Sequence, residues 1–250
     1  PSPFELFPSE FTRGRDRIDI NGLVWMGDKE FMKSQIRNKL ESGFRVIKLK
    51  IGAIDFKTEI DLLDTIRKDF SPEEIEIRVD ANGAFTPSEA LEKLKRLSDC
   101  AVHSIEQPIR QGQFEQMAQL CESSPIPIAL DEELIGVTEA ERREELLELV
   151  KPQFLIFKPS LIGGMGVCDH WIDLCRKNDI GWWITSALES NVGLNAIAQY
   201  TYTLGNPMPQ GLGTGRLFTN NIDSPLRVEK GALYYEPSLK WGDTGRLFDE

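Results

Sequence analysis

The chain has 250 residues, of which 40% are hydrophobic and 28% charged, and its net charge is −11 at pH 7. A chain of this length buries roughly 70–75% of the surface that its unfolded form exposes, so it can build a core without disulfides or structural metal. The negative charge argues against nucleic acid and anionic membranes as partners. No apolar run approaches the length of about 18 residues that a membrane-spanning helix needs.

The cysteines and histidines indicate a compartment and exclude some chemistry. The four cysteines form no CxxC pair, which favours buried free thiols in a reducing compartment, and hence a cytoplasmic protein. His103 and His170 are the only histidines in the sequence, which argues against a histidine-rich metal site and a histidine-based triad.

Short β-rich segments alternate with longer amphipathic helical patterns along the chain. The predicted strands are 18–25, 44–51, 75–80, 102–106, 127–131, 154–158, 181–185 and, more weakly patterned, 209–213. The predicted helices between them are 28–42, 55–70, 87–97, 113–121, 139–150, 166–177 and 190–204. This alternation predicts parallel strands joined by crossover helices.

The spacing of the strand ends predicts the architecture. Asp80, Glu106, Asp131 and Lys158 end successive strands, 25 to 27 residues apart. Such regularity is typical of an α/β fold of the (β/α)8 or TIM-barrel type, for which about 250 residues is usual. An open doubly wound sheet is the alternative, but no GxGxxG turn follows the first strand. The expected organisation is a lead-in segment 1–17, a barrel 18–223 and a C-terminal segment 224–250.

Two lysines on the second strand are candidate catalytic residues. Successive residues of a strand point to opposite faces, so Lys48 and Lys50 share the face opposite Ile47, Leu49 and Ile51. The apolar residues face the helices, which places both lysines inside the barrel. Ammonium groups in an apolar interior are costly unless they are paired or used. The alternative, a solvated edge strand, does not explain the apolar opposite face.

Three carboxylates end adjacent strands on the side of a barrel where active sites lie. Asp80, Glu106 and Asp131 would converge there, and their mutual repulsion requires a cation. A set of oxygen ligands suits Mg²⁺, with Mn²⁺ as a possible substitute. The alternative is that each acid caps a helix or a turn, which explains any one of them but not three in register.

Lys158 ends the sixth strand, across the barrel from the second. A metal ion between lysines suits the removal of a proton α to a carboxylate, because cations neutralise the enediolate while a lysine takes the proton. Crowding by Lys48 and Mg²⁺ is expected to lower the pKa of Lys50. A Schiff-base aldolase could also use Lys158 but would not need three acids. Arg78 shares a strand face with Asp80 and is expected to be an inward cation paired with a carboxylate.

Five short motifs, in this order, resemble the muconate-lactonizing subgroup of the enolase superfamily: Lys48-Leu49-Lys50, Asp80-Ala81-Asn82, Glu106-Gln107-Pro108, Asp131-Glu132 and Lys158-Pro159-Ser160. The resemblance covers residues 18–218 and implies a modified (β/α)7β barrel. It implies that Lys50 removes the α-proton, that Lys158 stabilises the enediolate and that Lys48 modulates Lys50. It also implies that the three carboxylates bind Mg²⁺.

Within that subgroup, segments 21–27, 158–164, 186–190 and 211–215 are most similar to the dehydratases of menaquinone biosynthesis. The resemblance implies dehydration of 2-succinyl-6-hydroxy-2,4-cyclohexadiene-1-carboxylate to 2-succinylbenzoate. Ser186 is then expected to meet the succinyl group, with Arg78 and Asn82 as further candidate substrate-binding residues. Asn82 and Glu132 are also candidates for contacts around the metal ligands.

Other functions remain open at this point. An N-acylamino acid racemase or a dipeptide epimerase would use the same metal and lysines, although residues 213–216 lack the DxD segment typical of dipeptide epimerases. Muconate cycloisomerisation is a third alternative. A non-catalytic barrel would have no reason to retain so many buried charges.

The resemblance also implies an N-terminal capping domain, whose mobile loop closes over the substrate. Because the chain begins at Pro1, near the first predicted strand, we expect a barrel fragment without most of that domain. The segment 224–250, with its strand-like residues Ala232–Tyr235, is expected to return toward the missing cap. A metal site could form in such a fragment, but the substrate pocket would be open and activity weak or absent.

Overall fold

The computed structural model describes residues 4–215 and 217–243. Residues 1–3 of the predicted lead-in segment, Arg216 and residues 244–250 of the predicted C-terminal segment lie outside this range.

Ten strands and eight α-helices are assigned within the described residues. In chain order they are β1 (Arg17–Asp19), β2 (Gly22–Val24), α1 (Lys29–Glu41), β3 (Val46–Lys50), α2 (Phe56–Asp69), β4 (Glu76–Asp80), α3 (Pro87–Ser98), β5 (Ser104–Glu106), α4 (Phe114–Ser123), β6 (Ile128–Leu130), α5 (Ala140–Val150), β7 (Phe154–Phe157), α6 (Pro159–Ile162), α7 (Met165–Asn178), β8 (Gly181–Ile184), α8 (Asn191–Thr203), β9 (Leu226–Glu229) and β10 (Ala232–Tyr235). A short 3-10 helix (Glu132–Leu134) follows β6.

The strands β2 to β8 form one parallel sheet in the order in which they occur along the chain. Helices follow each of these strands, and the segment 209–213 comes last without a helix of its own. Gln210 bridges Ile20, just before β2, and Gly211 bridges Thr185, just after β8. The segment therefore links both edges of the sheet, and the predicted (β/α)7β barrel is confirmed.

The first predicted strand was wrong in one respect, because residues 18–25 divide between two sheets. Within β1, Ile18 pairs antiparallel with Leu233 of β10, which in turn pairs with β9. The chain then changes sheets, since Ile20 N–H donates to Gly231 O while Asn21 N–H donates to Gln210 O. Only β2 joins the barrel. The strand-like pattern at Ala232–Tyr235 is confirmed as β10.

Local sequence explains where the first helices begin. Asp28 and Asp55 cap α1 and α2, each accepting a hydrogen bond from a backbone N–H in the first turn. Thr86 begins α3 with a capping box to Glu89, and Pro87 occupies the first helical position. Each helix buries one apolar stripe against the sheet, so tertiary packing completes what the caps begin.

The core has an outer and an inner part. Outward-facing strand residues such as Ile47 and Leu49 are buried beneath the helices in one large cluster. A small second cluster of Ala129, Ile156 and Trp183 is also buried.

All four cysteines are buried, and none of them forms a disulfide bond. No helix among the described residues is both long and apolar enough to cross a lipid bilayer.

Candidate active site

A cavity of about 310 Å³ is lined by Lys48, Lys50, Asp80 and Lys158, together with Ser186. Lys50, Asp80, Lys158 and Ser186 lie at or just beyond the carboxyl ends of the barrel strands, where sites of this architecture are formed, and Lys48 lies one layer deeper in β3. A larger surface hollow of about 510 Å³ is lined by side chains of the α4 to α5 region and includes none of the predicted site residues. The chemistry therefore points to the smaller cavity.

Lys48 joins two buried carboxylates at the base of the site. Its Nζ lies 2.9 Å from Asp80 Oδ2 and 2.5 Å from Glu106 Oε2. Burial favours the neutral amine, but the two carboxylates outweigh it and hold the pKa of Lys48 above its usual value. Burial and the neighbouring Asp80 raise the pKa of Glu106 well above its usual value. Burial also opposes ionisation of Asp80, yet Lys48 and Lys50 hold the pKa of Asp80 well below its usual range.

Lys50 is oriented by three side chains. Its Nζ donates to Asp80 Oδ2 at 2.9 Å and to Asn82 Oδ1 at 2.7 Å, and it lies 5.7 Å from the centre of the Trp25 ring. Asn82 in turn donates to Glu132 Oε1 at 2.9 Å. These contacts hold the ammonium group at the cavity wall in one orientation.

Asp131 and Lys158 form an ion pair on the other side of the cavity. The Asp131 side chain is 2% exposed and that of Lys158 is 19% exposed, so the lysine is the member that reaches the cavity. Burial lowers the pKa of Lys158, but Asp131 and Glu106 together raise it above its usual value. Lys158 is therefore a stable cation at the cavity, and it follows β7, which β4, β5 and β6 separate from the strand that carries Lys50.

The acidic residues fit a divalent cation in chemistry, although they are paired with lysines here. Among the described residues, no three Asp, Glu, His or Cys side chains are already grouped as a metal site. Glu106 Oε1 is nevertheless buried with no hydrogen-bond partner, and so is Glu132 Oε2. A buried carboxylate oxygen without a partner is costly, and a set of oxygen ligands suits Mg²⁺ or Mn²⁺. The carboxylates of this site therefore fit a divalent metal ion.

Comparison with protein families assigns the chain to a family. The model of the enolase C-terminal domain-like family matches residues 32–238. The chain belongs to this family. Enzymes of the enolase superfamily generally use a divalent metal ion. The match covers the whole run of strands from β3 to β8, and with them every lysine and carboxylate described above.

Individual relatives narrow the comparison. The chain is 58% identical over 229 residues to an o-succinylbenzoate synthase of Desulfotalea psychrophila, covering 92% of this chain and 62% of that relative. A crystal structure of MenC from the same organism superposes with a TM-score of 0.87 at 56% identity, covering 93% of this chain and 64% of that one. An N-succinylamino acid racemase of Thermus thermophilus is 32% identical over 158 residues, which are 63% of this chain and 40% of the racemase. The chain thus spans less than two thirds of the length of these relatives.

Ser186 lines the cavity as part of a hydroxyl pair. Its Oγ lies 2.6 Å from Thr214 Oγ1 and accepts a hydrogen bond from Leu188 N–H at 3.2 Å. Leu188 has a left-handed backbone with φ 68°, which turns the chain sharply after β8. Thr214 lines the same cavity and was missed from the sequence, although it stands in the 211–215 segment whose resemblance was noted.

Arg78 is inward and paired with a carboxylate, as expected, but it does not line the cavity. Its Nε donates to Glu76 Oε1 at 2.7 Å, its Nη1 donates to Pro209 O at 3.0 Å, and its guanidinium lies 4.3 Å from the centre of the Trp183 ring. Arg78 lies two residues before Asp80 in β4, and its bond to Pro209 connects that strand to the segment 209–213. The geometry favours a structural role over the predicted contact with substrate.

Proposed function

We propose that this chain carries the active site of a divalent-metal-dependent dehydratase, an o-succinylbenzoate synthase. The substrate would be 2-succinyl-6-hydroxy-2,4-cyclohexadiene-1-carboxylate and the products 2-succinylbenzoate and water, in menaquinone biosynthesis. One observation carries the proposal: Lys50 and Lys158 reach a single cavity from separate strands, with buried carboxylates beside both. The similarity to the Desulfotalea enzyme supports this choice of reaction.

In the proposed reaction, Lys50 as the neutral amine takes the proton α to the substrate carboxylate. Asp80 and Asn82 fix its Nζ for this transfer. The same ammonium then returns the proton to the departing hydroxyl, so that the C–O bond breaks and water leaves while the ring becomes aromatic. Lys158 supplies positive charge to the enediolate and can lie against the ring face as a cation–π partner.

Asp80, Glu106 and Asp131 would hold Mg²⁺, with Mn²⁺ as a substitute. When bound, the ion would supply positive charge to the substrate carboxylate. Lys48 forms ion pairs with Asp80 and Glu106 and would offset part of the negative charge of these acids. Because Lys48 and Lys50 both pair with Asp80, Lys48 would also modulate the electrostatic environment of Lys50. Ser186 and the backbone after it would meet the succinyl group, with Thr214 beside it.

The test is a spectrophotometric assay of aromatisation with the dehydration substrate and Mg²⁺. Replacing Lys50 by alanine is expected to lower kcat by about 10²–10⁴ through loss of proton transfer, with the fold intact by circular dichroism. The matched control is Lys57→Ala on the exposed face of α2, which is expected to behave as the unchanged protein. If Lys50→Ala keeps most of its activity, this assignment of the base is wrong.

A second candidate function is racemisation of N-acylamino acids. The placement of one lysine on each side of the cavity suits removal of an α-proton from one face and its return to the other. The similarity to an N-succinylamino acid racemase supports it. Exchange of the α-hydrogen of N-succinylamino acids in ²H₂O, measured beside aromatisation, separates the two reactions. Exchange without aromatisation would favour the racemase.

The proposal includes a capping domain over the cavity and a cytoplasmic location. Exposed apolar side chains near the strand ends, Met26, Leu161 and Leu188, support a cover, because apolar groups beside a cavity are commonly buried by a partner. The buried free thiols support a reducing compartment. An N-terminal extension of about one small domain is expected to raise kcat/KM. Equal values with and without the extension would argue against the cap.

A further inference from the structure

The glutamine that follows Glu106 makes a set of hydrogen bonds that the proposed chemistry does not use. Gln107 is fully buried, and its backbone is left-handed with φ 40°, a conformation that residues with a Cβ adopt at a cost. Its Nε2 donates to Ile109 O at 3.0 Å and to Glu133 Oε2 at 2.9 Å, while its Oε1 accepts from the backbone N–H of Asp131 and of Glu133, both at 3.3 Å. All the main hydrogen-bonding positions of the amide are filled.

Glu133 is the buried partner of this amide. Its side chain accepts from Gln107 at 2.9 Å and from Gly112 N–H at 2.6 Å, and the residue is only 4% exposed. No Lys, Arg or His among the described residues forms an ion pair with it. A buried polar network whose donors and acceptors are paired holds its members in one geometry.

The side-chain amide of Gln107 lies between the end of β5, which carries Glu106, and Asp131, which follows β6. The ladder between β5 and β6 ends at the pairing of Glu106 with Ala129, so Asp131 lies beyond the last ladder pair. Gln107 continues the connection, because its backbone N–H donates to Ala129 O at 2.9 Å and its side chain accepts from Asp131 N–H. Two of the three carboxylates proposed to hold the metal therefore have their backbones joined through one side chain.

We propose that Gln107 and Glu133 are positioning residues that hold the Glu106 and Asp131 carboxylates at the spacing needed for a divalent cation. The inference rests on the proposed function, since it takes these carboxylates as metal ligands. Groups that orient metal ligands commonly change metal affinity about 10- to 100-fold when they are removed. The pair touches neither the metal ligands' oxygens nor the cavity, so its influence acts through the backbone.

The experiment compares Gln107→Leu with a matched control at the opposite end of β6. Gln153 makes the same kind of contacts there, accepting from Ile128 N–H at 2.9 Å and donating to Cys121 O and Lys151 O. Each protein is freed of metal with a chelator and titrated with Mg²⁺ and with Mn²⁺ by calorimetry. Its thermal unfolding is measured in the same buffer, so that stability and metal affinity are obtained separately.

We expect both Gln107→Leu and Gln153→Leu to lower the melting temperature, and only Gln107→Leu to weaken metal binding, by about tenfold or more. If Gln107→Leu does not fold, Glu133→Gln provides the result, since it keeps the shape and one acceptor and is expected to weaken binding by a smaller factor. Unchanged metal affinity in the folded variants overturns the inference, as does an equal loss of affinity in Gln153→Leu. If the unchanged protein takes up neither ion, the proposed metal site is itself wrong and this inference fails with it.

Discussion

Replacing Lys48 by methionine tests the charge balance at the base of the site. Methionine is close to lysine in length and apolar, so the packing changes little while the cation is lost. The Lys48 side chain is 10% exposed and is the ion-pair partner of Glu106, which is itself 3% exposed. Asp80 keeps its ion pair with Lys50, but Glu106 loses the cation that lies on its Oε2.

The expected cost is that of removing one partner from a buried ion pair, about 3–5 kcal/mol of unfolding free energy. For a chain of this size, 1 kcal/mol shifts the melting temperature by about 2–4 °C, so metal-free Lys48→Met is expected to melt on the order of 10 °C lower. The matched control is Lys95→Met, whose partner Glu92 lies at 3.7 Å on an exposed face of α3. That pair is expected to contribute less than about 1 kcal/mol.

The effect has a defined pH dependence, because the pKa of Glu106 is raised from 4.5 in the folded protein. Below pH 4.5 the Glu106 carboxyl is protonated in both the folded and the unfolded chain, so the loss of Lys48 there removes only its ion pair with Asp80. As the pH rises, the unfolded chain ionises first, so the free energy of unfolding falls until the folded group also ionises. Because Lys48 lowers the folded-state pKa of Glu106, we expect the difference between Lys48→Met and the unchanged protein to grow only above the pH at which Glu106 ionises in the folded parent, well above pH 4.5.

The assay is thermal unfolding followed by circular dichroism in chelator at several pH values, repeated with Mg²⁺. Binding of Mg²⁺ at 100 times its Kd adds about 2.7 kcal/mol to the unfolding free energy, so the ion is expected to recover part of the loss. The reasoning is refuted if metal-free Lys48→Met melts at pH 8 within about 2 °C of the unchanged protein, a shift that corresponds to 1 kcal/mol or less.

Three further changes probe other parts of the barrel. Asp131→Asn is expected to weaken Mg²⁺ binding at least tenfold in calorimetry, and unchanged affinity would remove Asp131 from the ligand set. Gly211→Ala places a Cβ 2.0 Å from Thr185 Oγ1 and 3.2 Å from its backbone Cα, so we expect a loss of about 1–3 kcal/mol in chemical unfolding from strain where the barrel closes. A variant as stable as the parent would show that the backbone around residue 211 moves enough to accommodate the Cβ. Arg78→Met is expected to lower stability by about 1–3 kcal/mol through the lost bonds to Glu76 and Pro209, with KM unchanged in the aromatisation assay. A tenfold higher KM at unchanged stability would return Arg78 to the substrate-binding residues.

The sequence by itself determined the barrel and the face on which its charged residues lie. Strand periodicity alone placed Lys48 and Lys50 on the face opposite Ile47 and Leu49, because side-chain alternation is a property of the backbone. The even spacing of the strand ends predicted the architecture for a similar reason, since each strand and crossover helix needs about the same length of chain. Charged residues on the inner face of a strand pattern therefore predict the candidate site without knowledge of tertiary contacts.

Only the tertiary structure decided how those charges pair and where neighbouring segments go. That Lys48 bridges Asp80 and Glu106, while Lys158 pairs with Asp131, depends on distances across the barrel that no local pattern encodes. The division of residues 18–25 between two sheets depends on partners more than 180 residues away in sequence, at Gln210 and Leu233. The position of Arg78 outside the cavity lining has the same reason: its strand face is fixed by the sequence, but the depth of the cavity is fixed by the side chains of the other strands. Several arrangements of these segments have the same local propensity, and long-range packing determines which of them forms. The pairing of the buried charges is determined by that packing.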